Sequence, residues 1–189
     1  MPLDGHTNEL FNLDDSDLNF GIKFERTKFS GKRYVINNVT GDYIGIVGDS
    51  FKCASHPKFF NGIKNVIQAN RLPHELDDAK VRISTARNKA FAMIDITLPN
   101  VKHTITTSKH QTTISERIVA LHGVDGTCSN QAYFGAIDMF CTNGQISGEY
   151  DKIRKKNTSG FNLERFIHEL KHAKTNFDER CSLMQKWAN

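Results

Sequence analysis

No run of apolar residues in this 189-residue chain approaches the roughly 18–20 needed to cross a bilayer. The N-terminus has no basic segment followed by an apolar stretch, so no secretory leader is read in it. Both absences point to a protein without a membrane partner and with a cytoplasmic location. Cysteine is sparse: Cys53, Cys128, Cys141 and Cys181 are scattered and form no C-x-x-C pair. That pattern reads as reduced, mostly buried thiols in a reducing compartment, although two disulfides remain open on sequence grounds. The chain contains no G-x-S-x-G, no Walker A loop, no dinucleotide fingerprint and no paired-carboxylate motif, so no cofactor is expected. Tryptophan occurs once and tyrosine four times, against 13 phenylalanines. A soluble surface of this size would not display so many Phe side chains, and many of them belong to a core.

What is present fits one globular domain: 38% hydrophobic and 24% charged residues, in a chain long enough to bury a core. The net charge of +4 hides an asymmetry. Residues 1–20 hold Asp4, Glu9, Asp14, Asp15 and Asp17 and no Lys or Arg. Taking those five from the 21 acidic residues leaves 16 against 25 basic ones, a body of +9. Such a body attracts polyanions, and a tethered acidic arm competes with them for the same surface or contacts a partner protein. The alternative is an ordinary solvated tail.

Residues 1–30 lack sustained periodicity and read as an acidic, partly ordered arm, followed by a single α+β domain over 31–189. Lys32–Asn37 and Tyr43–Val47 flank the turn Thr40-Gly41-Asp42 as a hairpin. From Pro57 onward Phe59, Phe60, Ile63, Val66 and Ile67 recur at helical spacing, and Leu72-Pro73 closes that helix. A second hairpin joins 79–85 to 90–98. Residues 102–117 form a Thr-rich exposed strand or a mobile loop, and Arg117–Leu121 and Tyr133–Phe140 are the last two strand signals. The end, from about Asn162 to Trp187, is helical, as one helix or two. Successive hairpins favour an antiparallel sheet with one early helix and a long C-terminal helical segment packed on one face.

His168-Glu169-Leu170-Lys171-His172 spells H-E-x-x-H, which on a helix sets two imidazoles one turn apart to bind zinc with the Glu as general base. The wheel opposes this reading. Leu163, Phe166, Leu170, Ala173, Phe177, Cys181 and Met184 form the apolar stripe, His168 and His172 fall opposite it, and Lys171 sets a cation beside the metal. His122, Asp125 and Cys128 suggest either a site or a Gly-bearing turn.

The nucleic-acid signal has three parts. The second hairpin carries Lys80, Arg82, Arg87 and Lys89 beside Phe91. The Thr-rich stretch adds Lys102, Lys109 and Arg117, and Lys152, Arg154, Lys155 and Lys156 lead into Asn157-Thr158-Ser159-Gly160. Lys and Arg neutralise phosphates while hydroxyls and amides position the strand. Tyr34, Tyr43 and Tyr133 are candidates for stacking unpaired bases, because their polar tips tolerate water. A solvated basic face is the bland alternative.

From about Tyr34 to Ala173 the layout resembles the phage- and plasmid-encoded domain-of-unknown-function family 932. His122-Gly123-Val124-Asp125-Gly126 is similar to that family's short His-Asp-Gly turn, with an insertion. Phe140-Cys141-Thr142-Asn143 resembles its strand-end Val-Cys-x-Asn, and Ile153-Arg154 through Thr158 its Ile-Arg-His-Thr approach to a helix. Ile137-Asp138 stands where a basic residue is expected, and Gly144 where a Thr is expected. The resemblance implies a phage or plasmid accessory protein acting on DNA. The arrangement is also similar, at fold level only, to Rad52-like single-strand annealing proteins, which assemble as homo-oligomers. The expectation is therefore a protein preferring single-stranded DNA, in phage-type recombination, annealing or replication. The alternatives are a zinc-dependent hydrolase using the HELKH helix and a protein-interaction module.

Overall fold

Two stretches of period-two hydrophobicity, separated by one helical stretch, sort this chain into two antiparallel sheets. The computed structural model describes residues 10–14, 16–139, 146–157, 162–173 and 175–188. The first sheet has order β1 (Ile22–Arg26), β2 (Lys32–Asn37), β3 (Tyr43–Gly48). The Asn37 side chain accepts from the backbone N–H of Val39 and Thr40, which closes the β2–β3 turn. Val35, Val47 and Phe51 make its small buried cluster.

The second sheet is a five-stranded meander, each strand antiparallel to the next: β4 (Lys80–Ala86), β5 (Phe91–Thr106), β6 (Gln111–Gly123), β7 (Asn130–Met139) and β8 (Ile146–Lys155). Between the sheets run α1 (His56–Asn70) and the single turn α2 (Pro73–Leu76). After β8 come α3 (Leu163–Ala173) and α4 (Thr175–Ala188). Ser55 caps α1 by accepting from the Lys58 N–H, and Pro57 occupies the first turn, where its missing N–H costs nothing.

The main core lies on one face of the large sheet. Ala92, Ile94, Ile96 and Leu98 of β5, Ile118 and Ala120 of β6, and Ala132 and Phe134 of β7 alternate inward. They meet Phe59, Phe60, Ile63, Val66 and Ile67 of α1, Phe166 of α3 and Cys181 of α4. Each fully buried Phe contributes on the order of 1.5–3 kcal/mol. A Cβ at Gly62 would lie 2.8 Å from Ile167 Cδ1, so this glycine sets how closely α1 and α3 approach. Pro99 falls where the β5–β6 register shifts between Leu98 and Lys102, the bulge position a proline tolerates in a sheet. The Asn100 amide donates to the carbonyls of His74 and Asp77 and ties α2 to that bulge. Among the described residues no helix is long and apolar enough to cross a membrane.

The architecture is α+β and antiparallel, but it differs from expectation in four ways. There are two sheets rather than one. Two helices precede the large sheet, and the C-terminal segment is two helices, so one early helix and one long closing segment do not describe it. Residues 152–155, placed after the last strand signal, belong to β8, where Ile153 points inward between outward charges. The segment read as a loose arm supplies Phe11, Leu13, Leu18 and Phe20 to the main core and then forms β1. Residues 1–9 and Asp15 lie outside the described residues.

Candidate nucleic-acid interface

Because side chains alternate along a strand, the residues between the core positions project from the opposite face of the large sheet. The register aligns them in rows across the five strands. One row is Arg82, Asp95, Val119, Tyr133, Lys152; the next is Ser84, Met93, Leu121, Gln131, Arg154. Lys80, Thr97, Arg117 and Gly135 make a third, and Ala86, Phe91 and Gly123 end the face. Its buried members, Val119 and Tyr133 with Met93 and Leu121 against them, form a cluster without any helical residue. The buried apolar residues described in α1, α3 and α4 sit in the main core on the other side, so among the described residues no helix packs on this face, here called the open face.

Ion pairing divides the expected cations into two groups. Arg117 makes a two-pronged contact with Asp95, Nε at 2.8 Å and Nη2 at 2.6 Å. Arg87 pairs with Asp125 at 3.0 Å, Lys89 with Asp17 at 3.2 Å, and Lys155 with Glu169 at 3.0 Å. Lys155 lies on the helix side of the sheet, and its hydrogen bond holds the Glu169 carboxyl below the usual range. These four have carboxylate partners. Lys80, Arg82, Lys102 and Lys109, and likewise Lys152, Arg154 and Lys156, are exposed and have no carboxylate partner among the described residues. Of these, Lys80, Arg82, Lys102, Lys152 and Arg154 share the open face; Lys102 joins it because it pairs with Ser115, two residues before Arg117. Lys109 stands at the tip of the β5–β6 hairpin and Lys156 just beyond β8.

The outer strands β4 and β8 therefore carry cationic rims, Lys80 with Arg82 and Lys152 with Arg154. Four interstrand spacings set the rims about 19 Å apart. Between them lies a mostly apolar floor. Tyr133 is part of that floor: it is 5% exposed, its hydroxyl donates to Gln131 Oε1, and Lys152 lies over its ring at 5.0 Å. It is not an exposed stacking residue, because its neighbours on two strands cover both its tip and its face. Tyr34 and Tyr43 sit instead on the small sheet as an edge-to-face pair with centroids 5.5 Å apart.

One end of the large sheet holds a buried polar group that sequence reasoning missed. His56 Nε2 lies 2.8 Å from the Lys89 carbonyl, and His56 Nδ1 lies 2.8 Å from His122 Nδ1. A carbonyl only accepts, so Nε2 of a neutral His56 carries the proton and its Nδ1 accepts from His122 Nδ1–H. His122 Nε2 is then a lone pair, buried without a partner among the described residues. Burial depresses both imidazoles, His56 to about 4 despite the Lys89 carbonyl and Asp125, and His122 well below the ordinary 6.5. Opposite His122 stands Asn130, whose amide donates to Asn157 Oδ1; the Asn157 amide in turn holds the Gly123 carbonyl. Burial pushes the Cys53 thiol up to about 12 and raises Cys128. His122 thus packs in the core, stacked on Phe59 at 4.4 Å, while Asp125 orders the turn by accepting from Thr127.

His168 is exposed on α3, and Glu169 on the same helix is taken by Lys155 and Arg165. His172 lies within α3, but its side chain, like Phe140 to Asn143 and Thr158, falls outside what is described. Among the described residues no group of three or more His, Cys, Asp or Glu is placed to hold a metal ion. No protein-family model, no curated protein and no solved structure matches this chain.

Proposed function

We propose that this chain binds single-stranded DNA across the open face of its five-stranded sheet. The observation that carries this reading is the sorting of cations: Lys80, Arg82, Lys102, Lys152 and Arg154 on one face lack a carboxylate among the described residues, whereas Arg87, Lys89 and Lys155 away from their rows are paired and Lys109 and Lys156 are not. Unpaired surface cations leave phosphate as their natural counter-charge, and each phosphate bound releases counterions. An apolar floor between cationic rims suits bases that are free to lie flat, which a duplex keeps inside its stack. Through the family resemblance, the reading extends to a role in phage-type recombination, annealing or replication in the cytoplasm, with self-association. The test is a titration with labelled single- and double-stranded oligonucleotides over a salt series. Tighter binding of the single strand, weakening steeply with salt, is expected; no binding at ~50 mM salt would refute the proposal.

A further inference from the structure

We infer that Phe91 is the base-stacking position of this interface, with Arg87 as its cover; this rests on the single-strand reading above. Phe91 opens β5 on the open face, and its cross-strand neighbours are Ala86 and Gly123, a methyl group and no side chain at all. It belongs to none of the buried clusters and remains half-buried. Arg87 lies over its ring, with the guanidinium carbon 5.4 Å from the centroid. The Arg87 side chain is 48% exposed and anchored at Asp125 Oδ2, 3.0 Å away. That cover can lift from the ring while a base takes its place, and a guanidinium plane stacks on a base as it does on Phe.

The turn that holds Arg87 is unusual. Arg87, Asn88 and Lys89 have φ of 52°, 49° and 63°, three consecutive non-glycine residues in the left-handed region. The surroundings enforce it: His56 holds the Lys89 carbonyl, the Ala90 N–H donates to the Arg87 carbonyl, and the Val124 N–H to the Ala90 carbonyl. The Arg87 backbone is thus held beside the Phe91 ring, and its side chain is tethered only through Asp125. Met93 and Leu121 extend the apolar floor from there, and Arg154 and Cys128 border the same corner. Cationic surroundings favour an aromatic ligand tied to phosphate, and the occupant is an unpaired base of a single strand. Tyr133, also on the face, offers no such platform because Lys152, Gln131 and Val119 enclose it.

The full chain and its Phe91→Leu variant are titrated with a labelled single strand and with the same strand made abasic. Wild type should prefer the strand with bases. Phe91→Leu should lose that preference through a roughly five- to hundredfold weaker grip on the base-bearing strand, with an unchanged salt slope because no phosphate contact is removed. Phe91→Tyr, which restores a ring, should keep the preference and guards against a folding defect in the leucine variant. If wild type binds both strands equally, or if Phe91→Leu keeps the preference, the stacking assignment fails while the DNA-binding proposal stands. If wild type binds neither strand, both fail.

Discussion

The two faces of the five-stranded sheet are built from the same strands, one residue out of step, and they treat charge in opposite ways. On the helix side the charged groups Glu116 and Lys155 each have a partner. Glu116 is 1% exposed and meets Arg71 of the α1 C-terminus, which also reaches Glu75 at 3.6 Å. On the open side Arg117 is neutralised by Asp95 at the centre and Arg87 by Asp125 at one end, while the rim cations have no carboxylate partner among the described residues. Burial explains the contrast, since an unpaired ion costs several kcal/mol inside and little in water. A charge that the fold compensates reports on stability, and one that it leaves bare reports on a ligand.

The comparison breaks most sharply at the buried pair. Arg71→Ala should destabilise the chain by about 3–5 kcal/mol, because Glu116 is left charged and buried. Urea titration measures this, and a loss under 1 kcal/mol would mean that the helix side is not as dry as it looks.

Next in size is the response to acid. His56 and His122 are held neutral, with folded values below the ordinary 6.5. The unfolded chain therefore takes up protons that the folded chain refuses. Stability is fully present above pH 6.5 and falls as the pH drops from there towards about 4, by up to roughly 1.4 kcal/mol per unit for each group. Denaturant midpoints followed from pH 7 to pH 4.5 should fall steadily; a flat profile would remove the buried pair from the account.

Rim replacements should do the reverse of Arg71→Ala. Lys80→Ala, Arg82→Ala, Lys152→Ala and Arg154→Ala should each move stability by no more than about 0.5 kcal/mol. Any one that costs over 2 kcal/mol has a structural partner and leaves the ligand set.

The smallest effect sharpens the picture at the centre of the face. Asp95→Asn removes the carboxylate charge that faces Arg117, so single-strand binding should tighten by a few-fold at a stability cost of about 1 kcal/mol. Fluorescence anisotropy at fixed salt decides it, and weaker binding would make Asp95 part of the recognition surface.

Local pattern made much of this legible in the sequence. Period two marked β2 to β5, and helical spacing marked α1 with its five buried apolar residues. β8 was hidden because Lys152 and Arg154 project to solvent and leave Ile153 as the visible apolar beat. The N-terminal core residues were hidden for the opposite reason: Leu13, Leu18 and Phe20 anchor an irregular segment with no period to detect. That placement also means that deleting residues 1–20 would remove core as well as charge, so only a cut within 1–9 tests the acidic segment alone. The pairing of the basic residues could not be read, since Arg117 finds Asp95 across 22 positions and Arg87 finds Asp125 from another turn. Tyr133 misled because the Lys152 that covers it comes from a strand that was not foreseen.

The most direct test compares the salt dependence of single-strand binding in two sets of variants. One set removes the bare rim cations Lys80, Arg82, Lys152 and Arg154 together; the other removes the paired cations Lys89 and Lys155. The rim set should lower the log–log slope by nearly 3, at about 0.7 per phosphate contact, and the paired set should leave it unchanged. Equal slopes in wild type and the rim set, or a loss confined to the paired set, would contradict the assignment of the open face to nucleic acid.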